Sequence, residues 1–492
     1  MSPTLIFASF LIYTLMLFVV SWFTSRKADN QSFFIGNKKS PWFIVAYGMI
    51  GASLSGVTFI SIPGWVGQTG FTYFVIVLGY ILGYAVITTV LLPLYYKLNL
   101  TSIYTYLDAR FGRSAYATGA VFFLISRIIG ASFRMFLVVS VLQVFVFDYF
   151  GIPFWMTVVL FMILIQLYTM KGGIKTIVWT DTLQTTFMIL AVIISIFLIV
   201  QNMQTDFSTM VETVWASDLS QILVFDIDSK QNFFKLLLSG MFITIVMTGL
   251  DQDMMQKNLS CRNLKDAQKN TTTLSLILLP ANLIFLFLGA VLFLYATQFG
   301  IEIPTATDHL FPAIAFGHLG TFAGIVFLIG LISAAYSSAD SALTALTTSF
   351  SIDILKLDKK YANNENLLKS KRQQVHIAMA IVIIFVIVSF EKINNQAVIS
   401  QLFTFAGYTY GPLLGLYAFG LLTKIRVRDN WIPIVAIVAP ILSFFLSHYS
   451  ERMFNGYQIG FELLIINGLF TFIGLLIFRK TNPAFNGIKK QH

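Results

Sequence analysis

The chain has 492 residues, of which 57% are hydrophobic and 11% are charged, and its formal net charge is +10. A soluble protein would have about 25% charged residues, so the composition excludes an ordinary soluble globular protein. The single cysteine, Cys261, excludes an intrachain disulfide. Apolar runs of about 20 residues recur along the chain and are continuous rather than alternating, which favours membrane-spanning helices over barrel strands. We therefore expect an all-α polytopic membrane protein.

The apolar segments predict about thirteen transmembrane helices. They cover approximately residues 3–25, 42–66, 71–96, 115–148, 152–170, 175–203, 233–256, 272–298, 319–355, 373–391, 397–421, 431–448 and 458–479. Positive charges follow the first segment instead of preceding it. We therefore interpret it as a retained helix and not as a signal peptide.

Most of the 32 lysines and arginines fall in alternate connections, including Lys257 and the cluster from Lys356 to Arg372. Such an excess marks the inner side of a membrane. The N-terminus is then expected outside and the C-terminus in the cytoplasm, in a plasma membrane or, in a bacterium, the inner membrane. The basic charge faces the lipid bilayer, so we expect no nucleic-acid partner, and no obligatory protein partner is evident.

Residues 51–64, GASLSGVTFISIPG, are too rich in small residues for a plain membrane helix. Two small-residue clusters and Pro63 predict an interrupted helix. Unwound backbone at membrane depth is tolerated only where it lines a protein-enclosed site. The alternative is close helix packing through small residues.

Residues 331–350, LISAAYSSADSALTALTTSF, carry hydroxyls and a carboxylate within an apolar run. Ala334, Ser337, Ser338 and Ser341 share one helix face. Hydroxyl and carbonyl oxygens there suit a small hard cation. In the alternative, the hydroxyls bond back to carbonyls of their own helix. Asp340 adds a charge that such bonds do not neutralise.

Charged side chains occur in two further apolar segments. Asp181 follows the Gly172–Gly173 turn by about two helical turns, and a carboxylate at that depth indicates a functional site. Arg127 and Arg134 are seven residues apart and share a helix face. Either arginine could pair with Asp181. Arg134 lies nearer mid-helix and could hold an anionic group, whereas Arg127 could contribute to an inner gate.

Two weaker candidates follow later in the chain. The stretch TGLDQDMMQKNL, residues 248–259, contains Gln252 between two aspartates, and the alternative to a binding role is a salt-bridge cluster at the inner mouth. The stretch FAGYTYGPLLG, residues 405–415, has enough Gly and Pro to bend a helix. We expect Gln252 and Tyr408 to reach a solute.

Six of these stretches, in this order, resemble the sodium:solute symporter family: ASLSGVTFISIPG, LPLYYKLNLTSIYTYLDARFG, GGIKTIVWTDTLQ, QDMMQK, SAAYSSADS and GYTYGPLLGL. The resemblance covers nearly the whole chain. It implies one transmembrane transporter domain over 1–492 of the leucine-transporter type, with a 5+5 inverted-repeat core that contains broken helices. The implied parts are a leading helix, 3–25, two five-helix repeats, 42–203 and 233–421, and two trailing helices within 431–479.

The resemblance also implies Na⁺ as the coupling ion. A first sodium ion would bind the carbonyls of Gly51, Leu54 and Ala334 and the hydroxyls of Ser337 and Ser338, with Ala52 and Ser55 as the alternative pair on the broken helix. A second sodium ion, held by some members, would bind Asp181, Ser337, Asp340 and Ser341. Asp340 departs from the family pattern, which leaves the sodium stoichiometry open.

By the same resemblance the chain is a secondary active transporter and not an enzyme. It would couple inward sodium movement to uptake of a small solute by alternating access. An organic anion is the leading solute, and the expected binding residues are Ser53, Ser55, Thr58, Arg134, Gln252 and Tyr408. In sialic-acid carriers of the family an arginine holds the carboxylate, but that position here is Gly130. A neutral sugar or amino acid is the alternative solute, and a membrane solute sensor without transport is the alternative class.

Overall fold

Helices make up nearly all of the computed structural model, which describes residues 3–26, 29–391 and 398–480. The α-helices are α1 (Pro3–Ser25), α2 (Asn30–Ile35), α3 (Trp42–Leu54), α4 (Gly56–Thr69), α5 (Tyr73–Val86), α6 (Leu92–Lys97), α7 (Thr105–Arg110), α8 (Arg113–Leu142), α9 (Phe154–Gly172), α10 (Ile174–Asn202), α11 (Phe207–Ala216), α12 (Phe233–Thr244), α13 (Gln252–Leu259), α14 (Leu264–Phe299), α15 (Leu310–Gly317), α16 (Gly320–Ser349), α17 (Leu357–Lys360), α18 (Glu365–Glu391), α19 (Val398–Leu422), α20 (Ile432–Met453) and α21 (Leu463–Ile477). Within these ranges the only β-type pairings are two isolated bridges.

The predicted apolar segments are all helical, which confirms an all-α polytopic fold. Within the described ranges, nine helices are long and apolar enough to cross a bilayer, or up to eleven if each of two bent pairs is one span. Helix α21 has 15 residues and is short for a span. The predicted count of thirteen spans is therefore not confirmed.

Two helix pairs are broken by sharp bends. Helices α3 and α4 meet at Ser55 with a bend of 52°, which confirms the predicted interruption. The run Phe233–Gly249 meets α13 with a bend of 64°, and this break was not predicted from the sequence. There the Asp251 carboxylate caps α13 by accepting the N–H of Asp253 at 2.9 Å. The bend expected in 405–415 does not end a helix, because α19 runs through Pro412.

Helix α16 is the most deeply buried of the long helices, and α1, α18 and α20 are among the least buried. Helix α16 packs chiefly on α10 and also contacts α8, α3 and α4. The outer helices carry exposed apolar side chains such as Ile12 and Phe385, as expected of surfaces that face lipid. The α3–α4 break thus lies in the interior, beside the polar helix α16.

Candidate functional site

A polar cavity borders the α3–α4 break. It contains about 730 Å³ of space that protein atoms do not fill, its open mouth included. Its polar lining is contributed by α3 and α4, α5, α8, the end of the α12 segment and α14: Ser53, Ser55, Thr58, Tyr73, Tyr80, Tyr84, Arg127, Arg134, Thr244, Thr248 and Asn282. Three predicted solute-binding side chains of the broken helix and Arg134 therefore meet at one cavity.

Close packing on two neighbours holds the break in place. The N–H of Gly51 donates to Thr185 Oγ1 of α10 at 3.0 Å, and a β-carbon on Gly51 would overlap that hydroxyl. On the other side of the break, a β-carbon on Gly56 would clash with Val138 of α8. Both glycines are thus required for the close approach of the neighbouring helices.

Arg134 is a buried charged residue of the cavity lining. Its side chain is 9% exposed and lines the cavity, and its Nε atom has no hydrogen-bond partner among the described residues. None of the ion pairs found in the described part of the chain includes Arg134. A buried guanidinium without a carboxylate is costly. An anionic ligand in the cavity would remove that cost.

Arg127, two turns earlier on α8, is neutralised by protein groups. Its Nη2 donates to Asp253 Oδ2, and its Nη1 lies 3.8 Å from Asp251 Oδ2. Tyr410 of α19 donates its hydroxyl to the same Asp251 oxygen at 2.5 Å. This group, called the ionic floor below, consists of Arg127, Asp251, Asp253 and Tyr410. It joins α8, α13 and α19 and corresponds to the salt-bridge alternative for residues 248–259.

Asp181 pairs with a lysine and not with either arginine, which corrects the pairing considered from the sequence. Lys257 Nζ lies 2.7 Å from Asp181 Oδ2, and each side chain is 1% exposed. Ser337 of α16 donates to Asp181 Oδ1 at 2.8 Å. Lys257 was expected in an inner connection, but its side chain lies in the interior of the protein. Arg372 was also expected in an inner connection, and its side chain is buried as well.

Two kinds of hydroxyl in the polar stretch of α16 differ from that of Ser337, which donates to Asp181. Ser333, Thr347 and Thr348 donate to carbonyls one turn earlier on their own helix, at 2.6, 2.7 and 2.9 Å. The buried hydroxyls of Ser338, Ser341 and Thr344 have no partner in the described part of the chain. Back-bonding therefore explains the first kind but not the second.

Asp340 does not pair with an arginine either. Its Oδ2 accepts the hydroxyl of Tyr168 at 2.8 Å, and its Oδ1 accepts the N–H of Ser341 at 2.6 Å. The side chain is fully buried. Asp340 and Asp181 both hydrogen-bond along the buried face of α16, so two carboxylates and several hydroxyl oxygens are concentrated there.

Gln252 and Tyr408 are not brought to the cavity, which corrects their expected contact with solute. The amide of Gln252 accepts the N–H of Ile103 at 3.0 Å and donates to Thr101 at 2.8 Å, so it fastens the connection before α7. Tyr408 packs beside Phe444 of α20. Residues two apart point to nearly opposite sides of a helix, so Tyr410 faces the interior and Tyr408 does not.

Several cavity residues were missed by the sequence reasoning. Tyr73, Tyr80 and Tyr84 recur at spacings of seven and four residues on α5, a periodicity that could have indicated one polar helix face. Asn282 of α14 was visible as an amide inside an apolar run. Lys257 had no such signal, because it lies at the end of an apolar segment where inner-loop lysines are common.

Oxygen ligands of the kind that a sodium ion needs are present on α16 and at the end of α3. Ser338 supplies a buried hydroxyl with no partner among the described residues, and α3 ends at Leu54, the last helical residue before Ser55. Carbonyls at a helix break together with hydroxyls are ligands that Na⁺ uses in broken-helix transporters.

Comparison with known proteins identifies the family. The family described as "Sodium:solute symporter family" matches residues 33–424, and the chain belongs to it. The chain is 24% identical over 474 residues to the sodium/sialic acid symporter SiaT of Proteus mirabilis (strain HI4320), covering 93% of this chain and 92% of SiaT. It is 24% identical over 405 residues to the human sodium-coupled monocarboxylate transporter 1, covering 80% of this chain and 64% of that protein.

Two solved structures share the fold. One is described as the substrate-bound outward-open state of a Na⁺-coupled sialic acid symporter, and it aligns with a TM-score of 0.81 at 21% identity, covering 96% of this chain and 97% of that chain. The other is Mhp1, a nucleobase-cation-symport-1 family transporter, with a TM-score of 0.60 at 14% identity, covering 90% of this chain and 93% of that chain. The leucine-transporter-type fold expected from the resemblance is thereby confirmed.

The protein is therefore a membrane-embedded, multi-pass secondary transporter that couples the movement of a small solute to sodium. It is a carrier and not an enzyme. Na⁺ is its coupling ion.

Proposed function

We propose that the protein takes up a small organic anion that carries a carboxylate, and that Arg134 binds this carboxylate. The observation that carries the proposal is the buried guanidinium of Arg134, which lines the cavity without an acidic partner. Arg127 is already neutralised by the ionic floor. The free positive charge of the cavity thus complements one negative charge on a solute.

The rest of the cavity fits a polyhydroxylated or amide-bearing acid. Ser53, Ser55 and Thr58 of the broken helix line one side, and Tyr73, Thr248 and Asn282 contribute further hydrogen-bonding groups. Two of the relatives are named for sialic acid and for monocarboxylates, both of which carry a carboxylate. We take N-acetylneuraminate, a sialic acid, as the first solute to test.

Sodium would bind beside the solute, between the α3–α4 break and α16. The proposed ligands are the carbonyls of Gly51, Leu54 and Ala334 and the hydroxyls of Ser337 and Ser338. Among these, the Ser338 hydroxyl lacks a protein partner. The carbonyls of Gly51 and Ser55 each already accept a backbone N–H at 3.1 Å, from Ser55 and Phe59, so Ala52 and Ser55 stay the alternative pair. The bound ion would hold the break against α16, and solute and sodium would each tighten the binding of the other.

The ionic floor would close the cavity toward the cytoplasm. A second opening of about 810 Å³, lined by Trp65, Tyr73, Lys230 and Phe461, shares Tyr73 with the solute cavity. With the N-terminus outside and the C-terminus in the cytoplasm of a plasma membrane, this opening would be the outer approach. Breaking the floor would open the inner path, as alternating access requires.

The repeat boundaries 42–203 and 233–421 are part of this proposal. The two broken helices, α3–α4 and α12–α13, would be the first helices of the two repeats. Discontinuous helices in corresponding positions of two halves are typical of inverted-repeat transporters. Helix α1 and helices α20 and α21 would surround the core.

The test is the thermal stability of the purified protein with N-acetylneuraminate and with its methyl ester, each in sodium and in choline. A ligand that binds the folded state raises its apparent stability. We expect a shift with the acid in sodium only, because the ester lacks the charge. Equal shifts with acid and ester would contradict the arginine assignment, and a shift with neutral sugars or amino acids alone would favour a neutral solute.

The matched control is Arg113→Gln, which removes an exposed arginine from the first residue of the same helix. This variant should keep the wild-type shift. A lost shift in this control would mean that any change of helix α8 disturbs the assay.

A further inference from the structure

A buried lysine lies beside the residues that the sequence suggested for a second sodium ion. Lys257 Nζ is 2.7 Å from Asp181 Oδ2, and both side chains are 1% exposed. Ser337 donates its hydroxyl to the other oxygen of the same carboxylate at 2.8 Å. Both oxygens of Asp181 therefore already have donors.

The surroundings of this pair have the composition of a cation site. Asp340 is fully buried and is in none of the ion pairs found in the described ranges. Ser341 and Thr344, on the same helix, have buried hydroxyls without partners. Carboxylate and hydroxyl oxygens at this density attract a small hard cation. The cation that the structure supplies there is the ammonium of Lys257.

We propose that the Lys257 ammonium is the resident cation of this cluster, so that the carrier binds one sodium ion and not two. The inference rests on the proposed sodium site beside the α3–α4 break and deepens it by fixing the stoichiometry. A sodium ion would remain at the Ser338 site beside the α3–α4 break. The position at Asp181 would be filled permanently by the lysine side chain.

A sodium ion does not fit beside this ammonium. It would share Asp181 with a positive charge only a few ångströms away, and like charges repel strongly where water is absent. Displacing the lysine within this structure would leave its ammonium buried, because every residue of α13 is buried. An unpaired buried ammonium is unfavourable, so the pair remains intact.

The local structure also fixes Lys257 in this position. Lys257 lies in the last turn of α13, where a positive charge is favoured by the helix dipole. Its carbonyl accepts the hydroxyl of Ser260 at 2.7 Å, which anchors the turn that carries it. The bend of 64° before α13 directs this short helix into the interior.

The experiment is equilibrium binding of radioactive sodium to the purified full-length protein in choline buffer, without solute. We expect one sodium ion per protein for the wild type and two for Lys257→Gln, because the glutamine leaves the carboxylates without a cation. The double variant Lys257→Gln/Asp181→Asn should return to one ion, since the charge to be neutralised is gone. Lys269→Gln, which changes an exposed lysine of α14, is the matched control and should bind one.

The possible results distinguish a failure of the role proposed for Lys257 from a failure of the proposed sodium site. Two ions bound by the wild type would overturn the role of Lys257 and leave sodium coupling intact, whereas no bound sodium would contradict the proposed sodium site itself. A folded Lys257→Gln protein that still binds one ion would also overturn the inference. If Lys257→Gln does not fold, the wild type and the double variant decide, and both are expected to bind one.

Discussion

Two arginines on the same face of helix α8 have opposite environments. Both line the polar cavity, but Arg127 contacts two carboxylates in the ionic floor, whereas Arg134, seven residues later, has no acidic partner among the described residues. The difference arises from the broken helix α12–α13, whose bend places Asp251 and Asp253 beside Arg127 only. One arginine is therefore neutralised inside the protein, and the other leaves a charge for a ligand.

The largest expected effect is on the paired arginine. Arg127→Gln leaves two buried carboxylates without their cation, and breaking a buried pair costs about 3–5 kcal/mol. We expect a large fall in thermal midpoint and in the yield of folded protein, measured by size-exclusion chromatography of the detergent-solubilised protein. Adding Asp253→Asn should recover part of the loss. An Arg127→Gln protein as stable as the wild type would mean that the ionic floor is not structural.

Arg134→Gln should weaken solute binding without destabilising the protein, the opposite of what is expected for Arg127→Gln. Losing charge-assisted hydrogen bonds to a carboxylate should weaken binding of N-acetylneuraminate about 100-fold, since such bonds contribute about 1.5–3 kcal/mol each. The thermal midpoint without solute should stay the same or rise, because an unpaired buried charge has been removed. Thermal unfolding in sodium, at increasing concentrations of solute, measures both the midpoint without solute and the affinity for the solute. A large loss of stability without solute would return Arg134 to a structural role.

A smaller effect is expected at the edge of the ionic floor. Tyr410→Phe removes the hydroxyl that Asp251 accepts at 2.5 Å, at a cost of about 1–3 kcal/mol. The thermal midpoint should fall by a few degrees. Tyr408→Phe is the matched control, because Tyr408 packs on α20 away from this network, and its effect should be within about 0.5 kcal/mol. Equal falls in the thermal midpoints of the two variants would contradict the assignment of Tyr410 to the ionic floor.

The smallest expected effect tests the sodium site. Ser338→Ala should raise the sodium concentration for half-maximal stabilisation about tenfold, equivalent to about 1.4 kcal/mol. The control is Ser333→Ala on the same helix, whose hydroxyl bonds to its own backbone at 2.6 Å. Unchanged sodium dependence in Ser338→Ala would remove this serine from the ion site.

The sequence predicted the elements of the site better than their partners. The helix break near Ser55, the polar face of α16 and the shared face of the two arginines all follow from local composition and helical periodicity. The pairings depend on contacts between helices far apart in sequence. Asp181 meets Lys257, and Arg127 meets Asp253, and neither pairing has a local signal.

The bend between the α12 segment and α13 explains several of the differences between the expected and the observed side-chain positions. Treating residues 233–256 as one straight helix put Lys257 in an aqueous connection and Gln252 near the solute. With the bend, Asp251 caps a short buried helix, Gln252 turns to the connection before α7, and Lys257 points inward. A glycine followed by an aspartate, in TGLD at 248–251, was the available signal for a new helix start.

Uptake into proteoliposomes driven by an inward sodium gradient would show whether Arg134 is needed to carry an organic anion. Wild-type protein, Arg134→Gln and Arg113→Gln would be compared for radioactive N-acetylneuraminate, with its methyl ester as competitor. We expect sodium-dependent uptake by the wild type and by Arg113→Gln, no uptake by Arg134→Gln, and little competition by the ester. Uptake that persists in Arg134→Gln, or that the uncharged ester inhibits as well as the acid does, would contradict the role proposed for Arg134.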